Sequence, residues 1–137
     1  MKLDLVTEMG RLNRIRFLAY TNILILTCTT INVGILMLLG SDYTNQVSLV
    51  MAIVAALLAT KFAAQRYRDV SASGWWSLFY LTPAQPIIYI VLGLLPGSSG
   101  VNKYGSPNPD TSLLLKLFVV IPINCGIIFF IWLSSYH

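Results

Sequence analysis

The chain has 137 residues, of which 56% are hydrophobic and only 10% are charged, against about 25% charged residues in a typical soluble domain. This balance excludes an ordinary soluble fold, and a mean hydropathy of +0.73 excludes a disordered chain. Nine basic and five acidic residues give a net charge of +4. The two cysteines, Cys28 and Cys125, lie in apolar stretches and predict free thiols rather than a disulfide framework.

The N-terminal segment, residues 1–16, carries an apolar stripe that is followed by arginines. Leu5, Met9 and Leu12 recur at the i, i+4, i+7 spacing of one helix face. We expect a segment that lies along the cytoplasmic surface of a membrane. A frayed terminus is the alternative, because the segment is short.

Four apolar runs follow, each carrying at most one charge: 17–39, 47–64, 75–95 and 113–133. A helix needs about 20 residues to cross a hydrocarbon core of about 30 Å. We therefore predict an all-α integral membrane protein with four transmembrane helices in a single domain. Pro83 and Pro86 are expected to interrupt the third helix, and Pro122 the fourth.

Basic residues near the ends of the runs predict the orientation, since they are retained on the cytoplasmic side. Seven of the nine precede the first run or flank the second loop, and only Lys103 and Lys116 fall on the other side. We expect both termini to be cytoplasmic. Residues 96–112, rich in Gly, Ser, Pro and Asn, are then a structured outer loop.

Three clusters stand out by their composition, at Gly10 to Phe17, Arg66 to Trp76 and Gly97 to Pro109. Together they resemble a bacterial family of inner-membrane proteins known as DUF805. Its patterns are G-R-x-x-R-x-x-aromatic, R-L-H-D-x-x-x-S-G/A-W-W and G-x-x-G-x-N-x-Y-G-P-x-P. The residues that match the first two patterns are Gly10, Arg11, Arg14, Phe17, Arg66, Asp69, Ser73, Gly74, Trp75 and Trp76. Those that match the third are Gly97, Gly100, Asn102, Tyr104, Gly105, Pro107 and Pro109. Arg68 stands where the family has a histidine, and Ser106 lengthens the third pattern by one residue. The resemblance implies the bacterial cytoplasmic (inner) membrane and no assigned activity.

The first two clusters predict a clamp at the cytoplasmic interface. Asp69 is a lone carboxylate among arginines, and we expect it to pair with Arg11 or Arg14 and so join the N-terminal segment to the loop that contains Arg66. The arginines also suit contact with anionic lipid headgroups. Ser73 is predicted to cap a helix, with Trp75 and Trp76 as a membrane-interface anchor.

Polar residues inside the runs allow a second interpretation. A midplane polar site would comprise Asn22, Thr29, Asn32, Gln85 and Asn124. Many transporters bind their substrates at broken helices that carry polar side chains at mid-depth. The alternative is that these residues contribute to helix packing alone.

The sequence predicts binding rather than catalysis. It has one histidine, His137, and five acidic residues, with no paired carboxylates in any span and no recognisable nucleophile motif. We predict no catalytic residue, no metal and no cofactor. Expected partners are membrane lipids and either other membrane proteins or further copies of the chain, and not nucleic acid, because membrane retention accounts for the basic residues. The favoured function is therefore a structural or regulatory membrane subunit, with a small transporter or channel subunit as the alternative.

Overall fold

The computed structural model describes residues 10–120, and of residues 41, 42 and 44 only the backbone. Regular secondary structure within this range is helical, as predicted. The described part contains α1 (Arg14–Leu39), α2 (Ser41–Asp69), a 3-10 helix (Gly74–Leu81), α3 (Gln85–Leu94) and a helical stretch at 113–120, here α4. The predicted stripe at Leu5 and Met9 and most of the run 113–133, with Pro122 and Asn124, lie outside the described residues.

Helices α1 and α2 form a long antiparallel hairpin. Asn13 caps α1, and its side chain accepts a hydrogen bond from the Arg16 amide. Both helices are long and apolar enough to cross a membrane, and they contain the predicted runs 17–39 and 47–64. The connection is shorter than expected, because only Gly40 separates the helices and most of the predicted loop is helical. Gly40 permits this turn since it adopts a φ of 77°, which side chains disfavour.

The third apolar run, 75–95, is not one continuous helix. It divides into the 3-10 helix and α3, joined by a turn at Thr82, Pro83 and Ala84. Proline disfavours helical backbone in the residue before it, and Thr82 is extended with a ψ of 166°. Pro86 lies in the first turn of α3, where its missing N–H costs nothing. The predicted interruption by these two prolines is confirmed.

The first half of this broken run extends away from one end of the molecule, and the second half comes back to the same end. Its last residues meet the C-terminal end of α2, since the Ser98 amide donates to the Asp69 carbonyl over 2.9 Å. Its turn lies beside the stretch of α2 between Ala52 and Ala59. At 1.5 Å per residue that stretch is roughly 15–25 Å from Asp69, about half the length of α2. We call residues 74–94 the helical hairpin.

The return of the chain corrects the prediction for residues 96–112. The sequence placed this loop at the opposite end from the arginines, whereas its hydrogen bonds place it at the same end. From there α4 runs beside α1 in the same direction. Asn13 bonds to Thr111 at the start of this pair, and Asn22 bonds to the Phe118 carbonyl further along it.

Buried side chains are concentrated in the half of the molecule that holds this loop. They form a core that comprises Leu12, Phe17, Phe62, Ala63, Tyr80 and Leu92. Elsewhere large apolar side chains of α1 and α2 cover the surface, with Met37 and Leu38 exposed to 80% and 84%. The fold thus joins a packed polar end to an apolar exterior.

Candidate functional site

Basic residues gather in the half of the molecule that contains the C-terminal end of α2. All eight lysines and arginines within residues 10–120 lie there: Arg11, Arg14, Arg16, Lys61, Arg66, Arg68, Lys103 and Lys116. We call this half the cationic end. The two exceptions in the sequence-based count, Lys103 and Lys116, disappear because their loop and helix start at this end.

At the centre of the cationic end, Asp69 binds two arginines. Arg11 donates from Nε to Oδ1 over 3.0 Å, and Arg66 donates from Nη1 to Oδ2. Asp69 and both arginine residues are at most 4% exposed. Of the two predicted alternatives the structure has the pair with Arg11, while Arg14 is exposed and makes no ion pair with Asp69. We call Arg11, Arg66 and Asp69 the arginine clamp.

Backbone carbonyls satisfy the remaining guanidinium N–H groups of the clamp. Arg66 donates to the carbonyls of Leu92, over 2.9 Å, and of Leu95. These oxygens belong to the last turn of α3, which has no helical donors for them. Arg66 therefore caps α3 and fixes the place where the helical hairpin returns.

Arg11 extends the clamp into the loop 96–112. It donates to the carbonyls of Gly100, over 2.6 Å, of Gly105, over 3.0 Å, and of Ser98. One side chain thus fixes three positions in the loop, of which Gly100 and Gly105 belong to the predicted motif. The two positive charges and one negative charge leave a buried excess of one positive charge, which these carbonyl dipoles offset.

Glycine is required at position 97 because the loop passes directly over the carboxylate. A Cβ there would lie 1.9 Å from Oδ2 of Asp69. Gly105 has a different requirement, since its φ is 111°. Its amide and carbonyl both bond to Asn102, which closes a tight turn.

Asn102 and Tyr104 tie the loop to the end of α2. The side-chain Nδ2 of Asn102 donates to the Arg68 carbonyl over 2.9 Å and to the Ser71 hydroxyl over 3.3 Å. The Tyr104 ring lies between two cations, 6.0 Å from the Arg68 guanidinium carbon and 5.0 Å from Nζ of Lys103. Such distances are typical of cation–π contacts.

Pro107 and Pro109 line a pocket of about 280 Å³ beside the clamp. Arg16 and Tyr20 of α1 form the facing side. The Nε atom of Arg16 is buried and has no hydrogen-bond partner, while its Nη2 lies 3.4 Å from the Pro109 carbonyl. We call this the arginine pocket.

The predicted aromatic anchor lies at the same end. Ser73 caps the 3-10 helix, since its hydroxyl accepts from the Trp75 amide over 3.4 Å. Both Trp75 and Trp76 are exposed, and Trp76 stacks on Phe79 with ring centroids 5.6 Å apart.

The four predicted midplane residues within the described range do not come together in one site. Asn22 accepts from the Tyr89 hydroxyl over 3.0 Å, and Asn32 bonds to Ser48 across the α1–α2 hairpin. Thr29 and Gln85 line a common cavity of about 400 Å³ between α1, α2 and the turn of the helical hairpin. Asn124 lies outside the described residues.

A family model for a protein of unknown function, DUF805, matches residues 5–106. The chain belongs to the DUF805 family. The resemblance carried by the three motifs is thereby confirmed. No curated protein and no solved structure matches the chain. The matched range contains all three residues of the arginine clamp.

Sequence reasoning missed how these parts meet. It named all three clamp residues and the loop glycines, but it separated them by a membrane. A signal was available in Gly100 and Gly105, whose carbonyls accept hydrogen bonds from the buried Arg11, and in Gly97, which leaves room for the Asp69 carboxylate. Nothing in the sequence indicated the cavity beside Gln85. The cavity exists because alanine side chains in α2 are small, and such alanines more often indicate close packing of helices.

Proposed function

We propose that this DUF805 protein is an integral protein of the bacterial cytoplasmic membrane that acts by binding, as a structural or regulatory subunit. The observation that carries the proposal is the apolar exterior of α1 and α2, which ends at the cationic end. Large apolar side chains that face outward over this length suit lipid, since water would oppose their exposure. Retention in the membrane pellet after alkaline carbonate extraction is expected, and release into the supernatant would contradict it.

The proposed orientation puts the cationic end in the cytoplasm. Eight basic residues within the described range lie at this end, which agrees with the retention of basic residues on that side. The helical hairpin then enters the bilayer from the cytoplasm and returns at about half depth. This replaces the predicted third crossing by a re-entrant segment. If residues 113–133 cross fully, they start in the cytoplasm and carry the C-terminus outside, in contrast to the sequence-based expectation.

The arginine pocket supports a role for anionic lipid headgroups as partners. Arg16 has a buried Nε donor without an acceptor in the protein, and Arg14 is exposed in the same turn of α1. A lipid phosphate would supply the missing acceptor, and a guanidinium binds phosphate with good geometry. Basic residues near such a membrane surface contribute about 1 kcal/mol each.

Quenching of tryptophan fluorescence tests this lipid preference. Trp75 and Trp76 lie at the cationic end, so a Trp132→Phe background reports on lipids there. Brominated phosphatidylglycerol should quench more than brominated phosphatidylcholine at equal fractions. We expect Arg16→Gln to reduce the preference by about fivefold, which corresponds to about 1 kcal/mol. Arg16→Lys keeps the charge and should retain most of it, and equal quenching by both lipids would contradict the proposal.

The transporter alternative has less support. Among the predicted midplane residues that the structure describes, only Thr29 and Gln85 line one cavity, and Asn22 and Asn32 hold helices together. Reconstituted vesicles should show the same solute flux with the native chain and with Gln85→Leu. Loss of a flux in that variant, with the fold intact, would favour transport.

A further inference from the structure

The cavity between α1, α2 and the helical hairpin, here the central cavity, is large enough to hold a ligand. Its volume of about 400 Å³ is within the range of small-molecule pockets, about 300–1,000 Å³. It is more than twice the volume of an engineered apolar cavity of about 150 Å³ that binds benzene. Ala52, Ala55, Ala56 and Ala59 of α2 form one side, and their small side chains leave the space open.

Two buried hydroxyl groups line this cavity without a hydrogen-bond partner. They belong to Thr21 of α1 and Tyr80 of the 3-10 helix, which are only 2% and 4% exposed. The Gln85 side chain lies near the Tyr80 hydroxyl, but not in hydrogen-bonding geometry. A buried hydroxyl without a partner is costly, so an acceptor in the cavity would be bound favourably.

The position of the mouth indicates where a ligand enters. Ile25 and Leu81 line the cavity and are 52% and 55% exposed on the apolar exterior. The lining residues carry no charge and are mostly apolar. An ion or a charged headgroup would lose its hydration there without compensation. The lining therefore favours a neutral molecule that arrives from the lipid phase.

We propose that the central cavity binds an uncharged membrane-dissolved lipid through a carbonyl group that accepts hydrogen bonds from Thr21 and Tyr80. The apolar part of the ligand packs against the alanine face of α2 and extends out of the cavity between Ile25 and Leu81. This inference rests on the membrane location in the proposed function. Carbonate extraction tests that location separately, so a protein that stays in the membrane but fails the following experiment contradicts the cavity proposal alone.

Photolabelling of the full chain in phospholipid nanodiscs tests the site. The probe is 2-dodecanone with a diazirine at the end far from its carbonyl, and peptide mass spectrometry locates the adducts. We expect saturable labelling of the residues at the mouth, Ile25 and Leu81, and of their neighbours on the same helices. Unlabelled 2-dodecanone should compete at least fivefold better than dodecane, which has the same chain length and no carbonyl.

Matched variants separate the hydrogen bond from simple partitioning. Thr21→Val should remove the preference for the ketone over the alkane, whereas Thr30→Val, the same change at an exposed position of α1 outside the cavity, should keep it. Tyr80→Phe should reduce the preference as well, and it covers the case in which Thr21→Val does not fold.

Three results would overturn the proposal. Equal competition by ketone and alkane would mean that the cavity only dissolves apolar chains. Labelling without saturation, or only at residues away from the cavity, would mean that the ketone does not bind in it. A ketone preference that is unchanged in both the Thr21 and Tyr80 variants would remove the assigned donors.

Discussion

Replacing Gly97 by alanine is expected to break the arginine clamp. The added Cβ would lie 1.9 Å from Oδ2 of Asp69 and 3.1 Å from Nη1 of Arg66, and ordinary contact begins near 3.4 Å. The carboxylate must therefore move by about 1.5 Å, although both of its oxygens are held by arginines. One charge-assisted hydrogen bond contributes about 1.5–3 kcal/mol, and a broken buried ion pair costs about 3–5 kcal/mol. We expect Gly97→Ala to lower the free energy of unfolding by about 2–4 kcal/mol.

Gly100→Ala is the matched control in the same loop. A Cβ at position 100 meets nothing within 4 Å, and Gly100 does not have a positive φ. Its free energy of unfolding should stay within about 1 kcal/mol of the native value. Titration of the reconstituted protein from mild detergent into sodium dodecyl sulfate, followed by circular dichroism, measures both variants. Equal stability of the two would refute the close approach of the loop to Asp69.

Further predictions concern single contacts and use the same unfolding titration. Tyr89→Phe removes the hydrogen bond to Asn22 and should lower the free energy of unfolding by about 1 kcal/mol. Tyr80→Phe removes a hydroxyl without a partner and should lower it by less. The reverse order would contradict the assigned contacts. The double variant Arg11→Asp with Asp69→Arg exchanges the two charges. It should not restore the stability that each single variant loses, because Arg66 would then face a like charge. Full recovery would show that Arg66 is not a partner of Asp69. Asn13→Ala removes the cap of α1 and the bond to Thr111 and should cost about 1–2 kcal/mol, with an unchanged midpoint counting against the cap.

Hydropathy was sufficient to predict α1 and the apolar part of α2. The predicted runs 17–39 and 47–64 lie within these two helices, and the position of Asp69 among arginines was enough to suggest its pairing with Arg11 or Arg14. Electrostatics of this kind can be read from sequence because a lone carboxylate in an apolar chain has few possible partners. The choice between Arg11 and Arg14 could not be made, since it depends on α1 beginning at Arg14 and leaving Arg11 in the preceding extended segment.

The third apolar run does not form one continuous helix, and the reason is physical. A run of 21 residues is equally consistent with one crossing and with two half-length segments that go in and return. The prolines at 83 and 86 divide it near its middle, which leaves about 15 Å for α3 at 1.5 Å per residue. That is half of a hydrocarbon core of about 30 Å. The prediction then placed loop 96–112 at the end opposite the arginines, because it counted the third run as one full crossing.

Labelling of single cysteines from the outside of intact cells tests the central claim, that the third run returns to the cationic end. In a background with Cys28→Ala and Cys125→Ala, a membrane-impermeant maleimide is applied to Ser41→Cys, Ser71→Cys and Ser99→Cys. We expect position 41 to react and positions 71 and 99 both to stay protected until the membrane is opened. Reaction at position 99 together with position 41, while position 71 stays protected, would mean a full third crossing and would contradict the arginine clamp and the re-entrant hairpin together.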